Sequence, residues 1–190
     1  MTTQKRVAVL VGSLRRGSFT RMVADTLADL APAELKLEIK EIGNLPLYSE
    51  DKDEADPPAP WVLFRQQIKA ADAVLFATPE YNRSVPGVLK NAIDVASRPY
   101  GKNAWDGKPG GVISVSPGAL GGFGANHHLR QSLVFLNVPV LQQPEAYISK
   151  AAELFQDGKL INDKTRGFFT SYIKAFSAWI NQCQLTKPPF

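Results

Sequence analysis

The sequence is poor in the residues and runs that build disulfides and membrane spans. Its 190 residues include a single cysteine, Cys183, so no intramolecular disulfide can form. The place of Cys183 in a C-terminal helical pattern favours a packing role. No apolar run approaches the roughly 20 residues that span a bilayer, and the chain begins without the apolar core of a signal peptide. We therefore expect a cytoplasmic protein in a reducing compartment, with no membrane span.

The sequence also lacks long runs of basic residues. The formal net charge is +4, but lysine and arginine are scattered and form no run of five or more. This pattern does not support a nucleic-acid surface, whereas mild basicity favours anionic cofactors and substrates. The acidic residues cluster once, between residues 50 and 56. We interpret that cluster as a solvated loop and predict no metal site.

Apolar runs of strand type alternate with helical patterns along the chain. A composition of 44% hydrophobic and 21% charged residues is ordinary for a globular protein, and we expect residues 1–190 to form one domain. Strict alternation of strand and helix predicts a parallel sheet covered on both faces. The expected strands lie at residues 7–11, 35–40, 73–77 and 111–116, with a last strand region supplied by residues 138–141 and 147–148.

Residues 12 to 18, Gly-Ser-Leu-Arg-Arg-Gly-Ser, join the first strand to the first helix. Glycines allow close approach of a ligand, and the free amides at a helix start carry positive potential. Hydroxyls of Ser13, Ser18 and Thr20 add donors, and Arg15 and Arg16 offer charge-assisted hydrogen bonds. The loop therefore has the chemistry of an anion site.

The spacing within this loop decides between kinds of anion. A dinucleotide fingerprint needs a glycine where Leu14 stands, and a Walker loop needs a lysine where Ser18 stands. A single terminal phosphate, as in a mononucleotide, remains. The alternative is a helix that Ser18 caps without any ligand.

Two further polar loops follow strands in the same way. Residues 79–84 come directly after the third expected strand, and residues 116–122 after the fourth. Ligands of open parallel sheets bind beyond the carboxyl ends of the strands, where the strand order reverses. All three loops lie at such ends, so the sequence predicts one shared site.

These three motifs carry a family resemblance. Residues 12–19 (GSLRRGSF), residues 79–87 (PEYNRSVPG) and the serine and glycines of residues 116–122 resemble the NAD(P)H-dependent FMN reductases, among them the bacterial quinone and chromate reductases. The resemblance implies an α/β, flavodoxin-like three-layer sandwich with a five-stranded parallel sheet of order 2-1-3-4-5. One departure is Thr20, where many relatives have asparagine. Threonine offers a hydroxyl at this position but lacks the side-chain amide of asparagine.

The resemblance also implies a cofactor and its binding residues. FMN would be held noncovalently, with its phosphate at Ser13, Arg15, Ser18, Phe19 and Thr20. Its isoalloxazine ring would lie against Pro79, Glu80, Tyr81, Asn82, Arg83, Ser116, Gly118, Gly121 and Gly122.

The implied reaction takes hydride from NADPH or NADH onto FMN and passes two electrons to quinones, with chromate, azo compounds and free flavin as further expected acceptors. The cofactor supplies the reactivity, so no catalytic side chain is required, and Tyr81 and Asn82 would position the ring. The alternative role for Tyr81 is packing beneath its loop. For His127 and His128 we favour a helix-surface or interface role.

Two other classes of function remain open at this point. A flavodoxin-type FMN electron carrier shares the fold, but such carriers tend to be strongly acidic, so the net positive charge favours an enzyme. A nonenzymatic interaction module is the third class, since fold does not fix function.

We also expect a homodimer that could pair into a tetramer, because Val95, Val134 and Phe135 lie off the core stripes of their helices.

Overall fold

The computed structural model describes residues 4–185 of the chain. Its regular elements, in chain order, are β1 (Lys5–Val11), α1 (Phe19–Asp29), β2 (Leu35–Lys40), α2 (Glu50–Ala55), α3 (Ala59–Lys69), β3 (Ala73–Thr78), α4 (Gly87–Ala96), β4 (Gly110–Val115), α5 (Phe123–Phe135), β5 (Ala146–Ile148), a 3-10 turn (Ala151–Glu153), β6 (Phe155–Gln156), β7 (Lys159–Leu160) and α6 (Asp163–Leu185). Helices separate the five strands β1 to β5 as predicted, with two helices between β2 and β3, but the alternation is not strict, because β6 and β7 follow β5 without an α-helix between them.

The five main strands form one parallel sheet of order β2-β1-β3-β4-β5. In the centre, Val9 of β1 pairs with Ile39 on one side and with Leu75 on the other. This confirms the predicted order and the flavodoxin-like architecture. After β1 the chain adds β2 on one side, and after β3 it adds β4 and β5 on the other side. The direction of strand order therefore reverses between β1 and β3, and this is the switch point of the sheet.

The two faces of the sheet bury different helices. Val7 and Val9 point to the core shared with α1 and α6, whereas Ala8 and Leu10 point to the core shared with α3, α4 and α5. This alternation follows from the two-residue period of a strand. Leu129 and Leu133 of α5 are fully buried. The helical pattern of the C-terminal residues predicts an apolar stripe on α6 that is also buried, at Phe169, Tyr172, Ile173, Phe176 and Ile180. Both faces are therefore covered, as an all-parallel sheet requires.

The last strand is shorter than predicted. Ala146–Ile148 forms a ladder with the end of β4, whereas Val140 makes only an isolated bridge with Gly110, the first residue of β4. Pro139 has no amide to contribute to a ladder, and its carbonyl accepts the Gly110 amide at 2.9 Å. The prediction of strand structure at residues 138–141 is therefore wrong. The hairpin of β6 and β7 was not expected from the sequence pattern.

The acidic cluster forms a helix, α2, and not the predicted loop, whereas its solvent exposure is confirmed for every acidic residue except Asp53. The carboxylate of Asp53 accepts hydrogen bonds from both terminal nitrogens of Arg65, at 2.7 and 2.8 Å, and its side chain is only 4% exposed. Arg65 also donates through Nε to the Val95 carbonyl at 2.8 Å. Removing one partner of such a pair leaves the other charge buried, at a cost of about 3–5 kcal/mol. The pair therefore anchors α2 to α3 and α4.

None of the helices among residues 4–185 combines the length and apolar character that crossing a bilayer requires. Cys183 is half-buried near the end of α6. The cytoplasmic location stays a prediction. So does the single domain of residues 1–190, whose first three and last five residues lie outside the described range.

An ion-pair cluster ties the edge strand β2 to β1. The carboxylate of Glu38 lies 2.8 Å from Lys40 Nζ, 3.1 Å from Arg6 Nη2 and 3.1 Å from Lys36 Nζ. Lys36, Glu38 and Lys40 share one face of β2 because side chains alternate along a strand. The hydrogen bonds from Lys40, Arg6 and Lys36, in that order of effect, lower the pKa of Glu38 to about 2.

We predict that this cluster makes stability depend on acid pH. A carboxyl whose pKa is depressed in the folded state contributes stability above its unfolded pKa and loses it as pH falls through the folded value. Glu38→Gln should lower the free energy of unfolding at pH 7 by about 1 kcal/mol, given the roughly 0.2–1 kcal/mol of an exposed pair. Urea unfolding of both proteins should show the difference shrinking from about pH 4.5 towards pH 2. A difference in the free energy of unfolding that stays constant over that range would contradict this role of Glu38. Glu54→Gln in α2 is the control, because Glu54 belongs to no ion pair among the described residues.

Candidate functional site

A cavity of about 290 Å³ lies beyond the carboxyl ends of β1, β3 and β4, at the switch point of the sheet. It brings together residues from all three polar loops. Its lining consists of Ser13, Arg15, Ser18, Phe19, Thr20, Pro79, Glu80, Tyr81, Val115, Ser116 and Pro117. The predicted residues that do not line it are Asn82, Arg83, Gly118, Gly121 and Gly122. Val115 and Pro117 were missed, because an apolar strand end and a proline carry no signal for binding.

The first wall is the loop between β1 and α1. The Gly12 amide donates to the Ala77 carbonyl at 2.8 Å, which continues the pairing of β1 with β3. A Cβ at this position would lie 3.1 Å from Leu89 Cδ2 and 3.2 Å from Pro79 Cδ. The glycine thus lets the loops after β1 and β3 begin side by side, which brings their polar residues to one cavity.

Ser18 caps α1, as the ligand-free alternative requires. Its backbone is extended, and its hydroxyl accepts a hydrogen bond from the Arg21 amide at 3.3 Å. The cap leaves the amides of Phe19 and Thr20 in the first turn without intrahelical acceptors. Within residues 4–185 the Thr20 hydroxyl also has no protein hydrogen-bond partner, and Thr20 is buried in the cavity wall. Capping and anion binding are therefore compatible in this loop.

Arg15 brings a positive charge to the cavity. Its Nη2 donates to the Gly17 carbonyl at 3.3 Å, and its guanidinium carbon lies 5.6 Å from the centre of the Phe19 ring. Among the described residues no carboxylate lies within ion-pair distance of Arg15. The side chain is thus held beside the free amides of α1 with its charge available to an anion.

The second wall is a tight turn at residues 81–84. The amides of Tyr81 and Ser84 donate to each other's carbonyls, at 3.1 and 2.9 Å. The two central residues, Asn82 and Arg83, have φ of 50° and 63°, as in a type I′ turn. Tyr81 lines the cavity with its side chain about half exposed, so the alternative of packing beneath the loop is wrong.

Glu80 stands next to this turn and faces another part of the chain. Its Oε2 accepts a hydrogen bond from the Ala125 amide of α5 at 3.1 Å, and its Oε1 lies 3.5 Å from Arg83 Nη1. No local sequence pattern indicates the contact with Ala125, because the two residues lie 45 positions apart.

The third wall is the loop between β4 and α5. The Ser116 amide extends the pairing of β4 by donating to Ile148, and its hydroxyl accepts from the Gly118 amide at 3.0 Å. Gly121 and Gly122 have positive φ, and a Cβ at Gly121 would lie 2.7 Å from the carbonyl carbon of Tyr147. Packing within the chain therefore accounts for these two glycines, and their contact with FMN stays a prediction.

The two histidines are exposed on α5, outside the lining of the cavity. His127 Nε2 lies 3.0 Å from the Tyr147 hydroxyl, and His128 Nδ1 lies 3.0 Å from the Ser84 hydroxyl. Burial, followed by a hydrogen bond with Glu145, raises the pKa of Tyr147. The positions of the histidines agree with the helix-surface role that the sequence favours.

A larger cavity, of about 410 Å³, lies beside β5 and the start of α6 and contains none of the predicted site residues. It is lined by Glu145, Tyr147, Ile148, Ser149, Lys150, Glu153, Leu154, Lys164, Thr165 and Phe168. We place the functional site in the smaller cavity, because only that one lies at the switch point and joins the three polar loops.

Comparison with known proteins identifies the family of the chain. The model of the NADPH-dependent FMN reductase family matches residues 5–153. A quinone reductase from Pseudomonas putida is 61% identical over 174 residues, which cover 92% of this chain and 94% of that protein. A 2-hydroxy-1,4-benzoquinone reductase from a Burkholderia species is 45% identical over 176 residues, or 92% of this chain and 96% of that protein.

A solved structure supports the same family. The flavoenzyme NAD(P)H:(acceptor) oxidoreductase FerB from Paracoccus denitrificans matches with a TM-score of 0.88 and 42% identity, over 94% of this chain and 98% of that one. The resemblance based on the three loops is therefore confirmed, and so are FMN as cofactor and NADPH or NADH as the reductant. This chain belongs to the NADPH-dependent FMN reductase family.

Proposed function

We propose that this family member is a quinone reductase that holds FMN noncovalently in the cavity of about 290 Å³. The observation that carries the proposal is the Arg15 guanidinium, which lines the cavity without a carboxylate partner among the described residues and beside the free amides of α1. A terminal phosphate satisfies both the charge and the amides. The names of the two relatives, which are quinone reductases, support the choice of acceptor.

The residues of the first loop fit a phosphate monoester. Arg15 would supply charge-assisted hydrogen bonds, and the amides of Phe19 and Thr20 would donate along the axis of α1. The hydroxyls of Ser13 and Thr20 would complete the donor set. Since the Ser18 hydroxyl is engaged by the Arg21 amide, Ser18 would act by fixing the start of the helix.

The other two walls would hold the flavin ring. FMN, when bound, supplies the redox chemistry, taking hydride from NADPH or NADH and passing two electrons to the acceptor. Pro79 and Tyr81 would orient the ring on one side, and Ser116 and Pro117 on another. Asn82, Arg83 and Gly118 do not line the cavity, and they would contact the flavin from its rim. The described lining contains no histidine or cysteine, in keeping with a role in binding and orientation.

We propose a flat quinone as the main acceptor, with azo compounds and free flavin competing for the same ring face. Chromate is a further proposed acceptor of different shape. Arg83, whose side chain is 75% exposed, would attract such an anion to the rim. A small oxyanion gains no stacking on the ring, so its saturation should be weaker than that of a quinone.

The direct test is the visible spectrum of the purified protein. We expect oxidised flavin bands that bleach when NADPH or NADH is added without oxygen and return when a quinone is added. Return of the bands with chromate would support the second acceptor. A protein without flavin bands, even after incubation with FMN, would contradict the proposal. Bands that neither nucleotide bleaches would indicate an electron carrier instead.

Arg15→Ala tests the phosphate site. Loss of a charge-assisted hydrogen bond costs about 1.5–3 kcal/mol, so we expect the dissociation constant of FMN to rise at least tenfold with the fold intact. Fluorescence titration with FMN measures it, and circular dichroism checks the fold. Arg16→Ala is the matched control, because Arg16 is the next residue and does not line the cavity. Equal affinity in the Arg15 variant and the wild type would remove Arg15 from the site.

We also propose that the chain forms a homodimer, which could pair into a tetramer. Val134 and Phe135 at the end of α5 are 77% and 89% exposed, and Phe123 at its start is 52% exposed. Large exposed apolar side chains are typical of contact surfaces. Val95, which the sequence placed with them, is fully buried, so that part of the prediction is wrong. We expect sedimentation at micromolar concentration to give a dimer or tetramer, and a monomer would reject the proposal.

A further inference from the structure

Glu80 is the one acidic side chain among the described residues that line the cavity. Its side chain is 14% exposed, and both carboxylate oxygens face the protein. Oε2 accepts from the Ala125 amide at 3.1 Å, and Oε1 lies 3.5 Å from Arg83 Nη1. The side chain is thus engaged by α5 on one side and by its own turn on the other.

The contact with Ala125 replaces a missing helix cap. α5 begins at Phe123, and its N-cap, Gly122, has no side chain that could accept a hydrogen bond. A capping side chain normally accepts from the second or third amide of the helix, and Ala125 is the third residue of α5. Glu80 therefore supplies from another loop the acceptor that Gly122 lacks, with a negative charge at the positive end of the helix.

The turn and the helix are also packed in direct contact. A Cβ at Gly124 would lie 2.8 Å from the Arg83 carbonyl oxygen and 2.9 Å from Glu80 Oε2. The turn is closed by the two backbone hydrogen bonds between Tyr81 and Ser84, so we expect it to move as one unit. Whatever fixes Glu80 on α5 then fixes the Tyr81 ring in the cavity.

We propose that Glu80 is a positioning residue, which docks the turn of residues 81–84 on the first turn of α5 and thereby sets the position of Tyr81 against FMN. This role rests on the proposed FMN site. This positioning role differs from the direct contact between Glu80 and the flavin ring that the resemblance implies, because the carboxylate acts through Tyr81 and α5. It also joins two walls of the cavity, since α5 continues from the loop of the third wall.

The test compares Glu80→Ala with Glu80→Gln in the full-length protein. We expect Glu80→Ala to raise the dissociation constant of FMN about tenfold, the factor that corresponds to one charge-assisted hydrogen bond. The KM for a quinone should rise by more than kcat falls, because the ring face is misplaced while the reacting groups are unchanged. Glu80→Gln should recover most of the FMN affinity, since its amide oxygen can still accept from Ala125.

One further measurement, amide hydrogen exchange, separates positioning from capping alone. Amide hydrogen exchange at Ala125 should be faster in Glu80→Ala than in the wild type, with or without FMN. Faster exchange with unchanged FMN affinity and KM would show that Glu80 only caps α5, and would overturn the proposal. Equal loss of affinity in the alanine and glutamine variants would overturn it too, because the hydrogen bond would not be the cause.

The matched control is Asp94→Ala, which removes a carboxylate from the exposed ion pair with Lys90 on α4, 2.7 Å in length. It should leave FMN affinity and KM at wild-type values. A wild-type protein that binds no FMN would reject the proposed function. Hydrogen exchange at Ala125 would then still show whether Glu80 docks on α5.

Discussion

The close approach of the chain after β1 to the chain after β3 is the constraint on which the site depends. Parallel strands leave the sheet at the same edge, and the reversal of strand order separates their following helices. The missing side chain at Gly12 lets Leu89 and Pro79 pack against the turn. One loop can then present α1 amides and Arg15 to the same space that Pro79 and Tyr81 line.

The three walls are joined to one another as well as to the sheet. The first is fixed by the Ser18 cap and by the contact of Arg15 with Gly17 and Phe19. The second is a closed turn, and Glu80 connects it to α5, which follows the third. A cavity assembled in this way keeps its shape through contacts between loops, so binding residues are held by neighbours distant in sequence.

Local sequence patterns predicted the fold well. The continuous apolar runs of β1 and β3 and the helical stripe of α6 depend only on near neighbours, and the order 2-1-3-4-5 follows the family resemblance of the loops. Contacts between distant segments could not be predicted in this way. The ion pair of Asp53, within an otherwise exposed acidic cluster, depends on Arg65 twelve residues away. The contact of Glu80 with the Ala125 amide likewise depends on a residue 45 positions away. Val95 was misplaced because the helical stripe does not show that α4 is covered on more than one side.

In the proposed phosphate site, the unpaired charge of Arg15 would link the folding equilibrium to the supply of cofactor. A group that binds the folded chain and not the unfolded one adds RT ln(1 + [L]/Kd) to the free energy of unfolding, about 2.7 kcal/mol at a hundredfold excess over Kd. The melting temperature of this chain then follows the free FMN concentration of its surroundings. A shortage of free FMN would then lower the folded fraction of the chain without any change in the residues that line the cavity.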